Sequence, residues 1–169
     1  LTTGTYMAGL NMISDEVVPG GPDRELTTED LSASLREAGL RTFRLKTGTP
    51  QRVFTKTIDF SKTPLEPGST EFLHFSESTR PQDVRSPEQQ ISCHMTWTTP
   101  ETHEIILRNL NKSSMYSGVV KGVGPRYCPS IEDKLVRFSD KPRHLLFLEP
   151  ESLQMDTIYV QGFSTSLPR

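Results

Sequence analysis

Three stretches of the chain carry apolar residues at helical spacing, and each begins with residues that favour a helix start. The predicted helices, with the residues of their apolar faces, begin at Thr27 or Thr28 (Leu31, Leu35, Ala38), at Thr99 (Ile105, Ile106, Leu110) and at Ser130 (Ile131, Leu135, Phe138). Gly39 is the expected residue after the end of the first helix, where a left-handed backbone conformation is common.

Other stretches alternate or are continuously apolar, which is typical of strands. Strands are predicted over 40–45, 57–61, 91–98 and 157–160, and the most apolar run, 144–148, predicts a central strand. Turns are predicted at 19–22, at 44–50 and from Gly162, and the proline-rich polar segment 62–90 predicts a long irregular excursion. Since strands and helices mix without a strict βαβ rhythm, the predicted fold class is α/β with mixed α+β character and a mixed sheet.

The segment 122–138 concentrates the candidate chemistry. A rigid Gly-Pro turn presents Arg126, and Cys128 follows immediately before a helix start. Pro129 suits the first turn of a helix, and Ser130 with Asp133 resembles a capping box. Helix N–H groups and a guanidinium stabilise a thiolate, so this pattern predicts a nucleophilic Cys128. A lone cysteine is more often a small buried hydrophobic residue, and the spacing by itself leaves both interpretations open.

Composition narrows the class of protein. Only 33% of the 169 residues are hydrophobic and 13 are proline, which indicates a thin, loop-rich domain or part of something larger. The net charge of −2 does not indicate nucleic-acid binding, so any RNA contact would need a local patch. Two cysteines without a secretion signal predict the cytoplasm, and no apolar run is long enough for a membrane span.

The pair Cys93 and His94 invites a metal or catalytic interpretation. Adjacent residues of a strand point to opposite faces, so these two side chains should not meet. We therefore predict a structural role for both residues and no metal site.

Seven ordered motifs resemble those of the GidA/MnmG family, flavoproteins that modify the wobble uridine of certain tRNAs. They are Leu1-Thr-Thr-Gly-Thr-Tyr6, Arg44-Leu-Lys-Thr-Gly-Thr-Pro50, Thr57-Ile-Asp-Phe-Ser61, Ser114-Met-Tyr-Ser-Gly118, Gly124-Pro-Arg-Tyr-Cys-Pro-Ser-Ile-Glu-Asp-Lys134, Phe147-Leu-Glu-Pro-Glu151 and Gly162-Phe-Ser-Thr-Ser-Leu-Pro168. The resemblance covers essentially the whole chain and implies a fragment of a longer protein, inactive when isolated.

The resemblance implies a fold and an activity. Residues 1–46 would end the first segment of a Rossmann-like FAD-binding domain, and residues 47–169 would form an incomplete, inserted mixed-sheet domain that binds NAD(H). The implied enzyme adds a carboxymethylaminomethyl group to carbon 5 of the wobble uridine of tRNA. It would use FAD, NADH and a folate one-carbon donor, act with the GTPase MnmE and form a homodimer.

The resemblance also assigns residues. Thr28 takes the place of a serine that contacts FAD in the family, while Pro22 replaces an arginine of the same loop. Cys128 matches a cysteine required for the modification, and Cys93 does not match the second one. The implied NAD segment comprises Gly124, Pro125, Arg126, Tyr127, Cys128, Pro129, Ser130, Ile131, Glu132, Asp133, Lys134, Leu135, Val136, Arg137 and Phe138.

Two alternatives differ in class from this enzyme. A stand-alone tRNA-binding module would bind tRNA in a salt-dependent way without binding a nicotinamide nucleotide. A Cys128-dependent transferase would need a histidine base, and none lies near Cys128 in the sequence.

Overall fold

The computed structural model describes residues 4, 6–22, 25–120, 122–124 and 129–168. Its helices and strands are β1 (Leu10–Ile13), β2 (Glu16–Pro19), α1 (Glu29–Glu37), β3 (Thr49–Phe54), β4 (Leu65–Glu66), β5 (Cys93–Trp97), α2 (Pro100–Arg108), α3 (Ile131–Arg137), β6 (Leu145–Pro150) and β7 (Thr157–Thr165). The mixed α/β class predicted from the sequence is confirmed. No helix in the described ranges has both the length and the apolar character that crossing a bilayer requires.

The chain forms two compact units, each assembled from separate segments. The first comprises Leu1–Thr49, Glu101–Ser139 and Thr165–Arg169, and the second comprises Pro50–Pro100 and Asp140–Ser164. The assignment of residues 1–46 to a flavin domain and of 47–169 to a nicotinamide domain stays a prediction.

A five-stranded sheet in the order β3-β7-β6-β5-β4 forms the second unit. Strand β6 lies at its centre, as its apolar sequence predicted, and pairs antiparallel with β5 and β7. Leu146, Leu148 and Ile158 are buried on one face of the sheet. Among the described residues of this unit these three are the buried hydrophobic side chains, so this face forms its core.

The first unit contains the three helices and the antiparallel hairpin β1–β2. Its buried apolar residues are Ile106 of α2 and Ile131 and Leu135 of α3. At the base of the hairpin the backbone approaches itself closely, since a Cβ on Gly9 would lie 2.7 Å from the carbonyl oxygen of Gly20. Only glycine fits at this position without displacing the hairpin.

Two predicted strands are wrong. Within 40–45 only Leu45 pairs, as an isolated parallel bridge to Val123, and Phe43 is 78% exposed. Segment 57–61 instead contains 3-10 turns, because the Asp59 carboxylate accepts the N–H of Ser61 at 3.2 Å and holds the backbone in a local turn. Strand β3 lies earlier, where the sequence predicted a turn up to residue 50.

The predicted helices all form, but their buried faces are narrower than expected. Ile105 and Phe138 are 47% and 49% exposed. Ser32, which the apolar pattern did not select, is buried on α1. The turn predicted from Gly162 is also wrong, since Gly162 lies inside β7 with φ of 92° and lets the strand continue through a left-handed conformation.

Candidate functional site

The start of helix α3 is the best-defined part of the predicted site. Ser130 is its N-cap and accepts a hydrogen bond from the N–H of Asp133 at 3.2 Å, which is the serine half of the predicted capping box. The helix begins at Ile131, after the cap, so Pro129 lies outside it. The predicted place of Pro129 in the first turn is therefore wrong. Pro125, Arg126, Tyr127 and Cys128 lie outside the described residues, and the activation of Cys128 stays a prediction.

Glu132, in the first turn of α3, is fully buried. Its Oε1 accepts hydrogen bonds from the Ser113 and Thr165 hydroxyls and from the N–H of Ser166, each at 3.0 Å. The Ser113 and Ser166 hydroxyls also bond to each other at 2.7 Å. This carboxylate therefore fixes α3 against two segments that are distant in sequence, and the apolar pattern gave no sign of it.

A second contact fixes the other side of the same turn. The Tyr116 hydroxyl donates to Oδ1 of Asp133 at 2.8 Å. Burial, followed by the hydrogen bond to Asp133, raises the pKa of Tyr116 to about 12. Tyr116 thus remains a neutral donor at physiological pH and holds the motif 114–118 on α3.

Segment 44–46 lies directly against the chain that leads to Cys128. The N–H of Lys46 donates to the carbonyl of Val123 at 3.1 Å, and the N–H of Val123 donates to the carbonyl of Arg44 at 3.3 Å. A Cβ on Gly124 would lie 3.4 Å from Cε of Lys46. The structure therefore brings together two motifs that are about eighty residues apart and that the sequence singled out separately.

Arg44 also connects this pair to the beginning of the chain. Its guanidinium donates to the carbonyl oxygen of Ala8 at 2.8 Å. Thr28 lies beside the same segment, where its carbonyl accepts the N–H of Ala8 at 3.0 Å. The Thr28 side chain is exposed and forms no cap hydrogen bond, which leaves its hydroxyl accessible to a ligand.

The described side chains of the predicted nicotinamide segment from Pro129 onward fall into two groups. The side chains of Ser130, Ile131, Glu132 and Leu135 are buried, so they shape the helix instead of facing a ligand. The side chains that reach solvent wholly or in part belong to Pro129, Asp133, Lys134, Val136, Arg137 and Phe138. Whether this segment binds NAD stays a prediction.

Cys93 and His94 have separate surroundings. His94 Nδ1 lies 3.0 Å from both the hydroxyl and the carbonyl oxygen of Thr63, and its ring packs edge-on against Phe60. Burial raises the pKa of the Cys93 thiol, and the carboxylates of Glu149 and Glu66 raise it further. Across the described ranges, no group of three or more His, Cys, Asp or Glu side chains could hold a metal ion.

Comparison with known proteins extends over the whole chain. The family model described as "Glucose inhibited division protein A" matches residues 1–169. The proteins named tRNA uridine 5-carboxymethylaminomethyl modification enzyme MnmG from Mycoplasmopsis synoviae and from Bacillus subtilis are each 52% identical over 99% of this chain. The chain covers 27% and 26% of those two proteins.

A solved structure also resembles this chain over nearly its whole length. The Aquifex aeolicus GidA structure in its form I crystal superposes with a TM-score of 0.85 at 47% identity, over 98% of this chain and 28% of that chain. The chain therefore spans about a quarter of the length of the relatives that it matches. With the family model matched from end to end and half of the residues identical in curated relatives, the chain belongs to the glucose inhibited division protein A (GidA/MnmG) family.

Proposed function

We propose that this chain is part of an FAD-dependent enzyme that adds a carboxymethylaminomethyl group to carbon 5 of the wobble uridine of tRNA. The names of the relatives support the reaction. The enzyme would work in the cytoplasm as a homodimer with the GTPase MnmE, with NADH as reductant and a folate as one-carbon donor. Bound FAD would supply the redox chemistry.

One observation carries the proposal. The backbone groups of Arg44 and Lys46 hydrogen-bond to Val123, so a basic turn lies beside the segment that leads to Cys128. Basic side chains and glycine turns are the groups that proteins use to contact phosphates. Their meeting supports a nucleotide site in the first unit, close in sequence to the proposed nucleophile.

The described residues fit the two cofactors at separate places. Lys46 and the glycine at 124, whose missing Cβ leaves room beside Lys46, would hold a nicotinamide nucleotide phosphate. The accessible hydroxyl of Thr28 would donate to FAD. Arg44 would hold these two binding places next to each other, because its guanidinium donates to the carbonyl of Ala8 while its own carbonyl accepts from Val123.

Cys128 is the proposed catalytic residue. As a thiolate it would serve as a nucleophile in the modification, and the Arg126 guanidinium two residues earlier in the sequence would favour that ionised form. Ser130, Glu132 and Tyr116 would keep the helix that follows Cys128 in place through the hydrogen bonds described above.

The test replaces each cysteine in turn in the full-length protein. Cys128→Ser keeps the size but removes the nucleophile, so the modified wobble uridine should disappear from total tRNA nucleosides analysed by mass spectrometry. Cys93→Ser is the matched control and should retain the modification. Flavin absorbance of both purified variants should equal that of the wild type.

Each failure has a distinct meaning. A modifying Cys128→Ser variant would remove Cys128 from the mechanism. A wild-type protein without flavin absorbance, or tRNA whose nucleosides do not change when the protein is deleted, would contradict the proposed activity as a whole.

A further inference from the structure

The five-stranded sheet of the second unit has one packed face and one open face. Leu146, Leu148 and Ile158 are buried on the packed face. Because side chains alternate along a strand, the residues between them point to the other side. Trp97, Leu145, Phe147 and Tyr159 lie on that side. Arg52 joins them because its guanidinium lies over the Tyr159 ring, and Phe54, two residues further along β3, shares its face. We call these six residues the open sheet face.

The six residues belong to four neighbouring strands, β3, β7, β6 and β5. Trp97 pairs with Leu145, Phe147 with Gln161 and Glu149 with Tyr159. With strands about 4.8 Å apart and about 3.3 Å per residue, Trp97 and Tyr159 lie roughly 16 Å from each other. None of the six residues is buried, and Phe54 is 62% exposed.

A cationic side chain lies beside each of three aromatic rings on this face, those of Tyr159, Trp97 and Phe54. The Arg52 guanidinium lies 5.4 Å from the Tyr159 ring centroid, and the Arg143 guanidinium lies 4.8 Å from that of Trp97. The Lys56 ammonium lies 5.7 Å from the Phe54 centroid. These distances are within the range of cation–π attraction, which holds each charge next to an aromatic surface.

Acidic groups on this side offset only part of the charge. Glu151 pairs with Arg52 at 2.6 Å, and Glu149 is half-buried with its pKa raised by burial. In the part of the chain that the structure describes, Lys56 and Arg143 form no ion pair. Two cations, one beside the exposed Phe54 ring and one beside the half-exposed Trp97 ring, are thus available to an anionic partner.

We propose that the open sheet face binds unpaired nucleotides of RNA, with bases stacked on Phe54, Trp97 and Tyr159 and phosphates contacting Lys56 and Arg143. Sheet surfaces with aromatic side chains and nearby cations are a recurrent way of binding single-stranded RNA. A protein partner fits less well at Lys56, because lysine is depleted at protein interfaces. The inference rests on the proposed function, which makes tRNA the substrate.

The test measures RNA affinity of the full-length protein by fluorescence anisotropy. The probes are a tRNA anticodon stem–loop and the same stem as a blunt duplex without the loop. The double variant Phe54→Ala/Arg143→Ala should bind the stem–loop about tenfold or more weakly, since one lost base stack alone reduces affinity by about that factor. Binding of the duplex should change little.

The matched control is Phe75→Ala/Arg85→Ala, which removes the same side-chain types from exposed positions outside the sheet. It should bind both probes like the wild type, and circular dichroism should show both double variants folded. Unchanged stem–loop affinity in Phe54→Ala/Arg143→Ala would overturn the inference. If that variant instead changes the sedimentation of the protein with RNA affinity intact, the face is a protein interface.

The nucleoside assay separates this inference from the proposed function. Wild-type protein that modifies tRNA, together with an open-face variant that binds the stem–loop normally, would contradict only the RNA surface. Wild-type protein that neither binds nor modifies tRNA would contradict the proposed function itself.

Discussion

Cys93 lies half-buried on β5, and its surroundings oppose ionisation. Burial is the largest cause of its raised thiol pKa, followed by the negative charges of Glu149 and Glu66. The thiolate is the reactive form of cysteine, so Cys93 should react slowly near neutral pH. Cys128, predicted from the sequence to lie beside Arg126 and a helix start, should react faster near neutral pH.

We expect the alkylation rate of Cys128 to rise with pH through a pKa below the free-thiol value of about 8.5 and that of Cys93 through a higher one. Mass spectrometry of the folded protein follows each site separately. Glu149→Gln removes one of the two charges that raise the Cys93 pKa, so it should accelerate Cys93 and leave Cys128 unchanged. Equal rates at both cysteines across the pH range would contradict the assignment.

Helix α3 depends on tertiary hydrogen bonds more than on its own sequence. With seven residues it is too short to be stable alone. Its Ser130 cap is local, but Glu132 joins it to Ser113, Thr165 and Ser166, and Asp133 joins it to Tyr116. The helix is therefore held where it is by side chains from other elements.

Glu132→Ala should lower the free energy of unfolding by about 3 kcal/mol or more, because each buried donor left without a partner costs about 1–3 kcal/mol. Glu132→Gln keeps one acceptor oxygen but places an amide where Oε2 is buried without a described partner, so it should cost less than alanine and still destabilise. Urea unfolding of the full-length protein measures both.

Glu104→Ala on α2 is the matched control. The side chain of Glu104 is 75% exposed and lies 4.0 Å from Arg108, so its loss should change stability by no more than about 0.5 kcal/mol. If Glu132→Ala were as stable as Glu104→Ala, the carboxylate would not hold the helix.

At the scale of the whole molecule, little apolar surface is buried. Across the described residues only six hydrophobic side chains are buried, and large ones such as Phe43, Phe72 and Leu73 are 78%, 60% and 64% exposed. Hydrophobic burial is the main favourable term of folding. A core of this size offers little to offset the conformational entropy of 169 residues.

We therefore expect the isolated chain to be less stable than the same segment within a full-length protein. Hydrogen exchange should show weaker amide protection of β5 and β6 in the isolated chain, and a dye that binds exposed apolar surface should fluoresce with it. Equal protection of both strands in the two contexts would show that this core suffices.

The sequence alone determined the three helices, the central strand β6 and the family. Helix starts and ends are local, because caps such as Ser130 and terminators such as Gly39 act on their own backbone. Family membership followed from ordered motifs, each of them contiguous in sequence. These features need no knowledge of distant contacts.

Only the tertiary structure decided which segments meet. Residues 40–45 have strand-forming side chains, yet Leu45 alone pairs, since a strand needs a partner that the sequence does not specify. The meeting of Lys46 with Val123, and the burial of Glu132 among three hydroxyl-bearing residues, join positions that are far apart along the chain. Hydrogen bonds of this kind follow from how the elements pack, and no local pattern of residues encodes them.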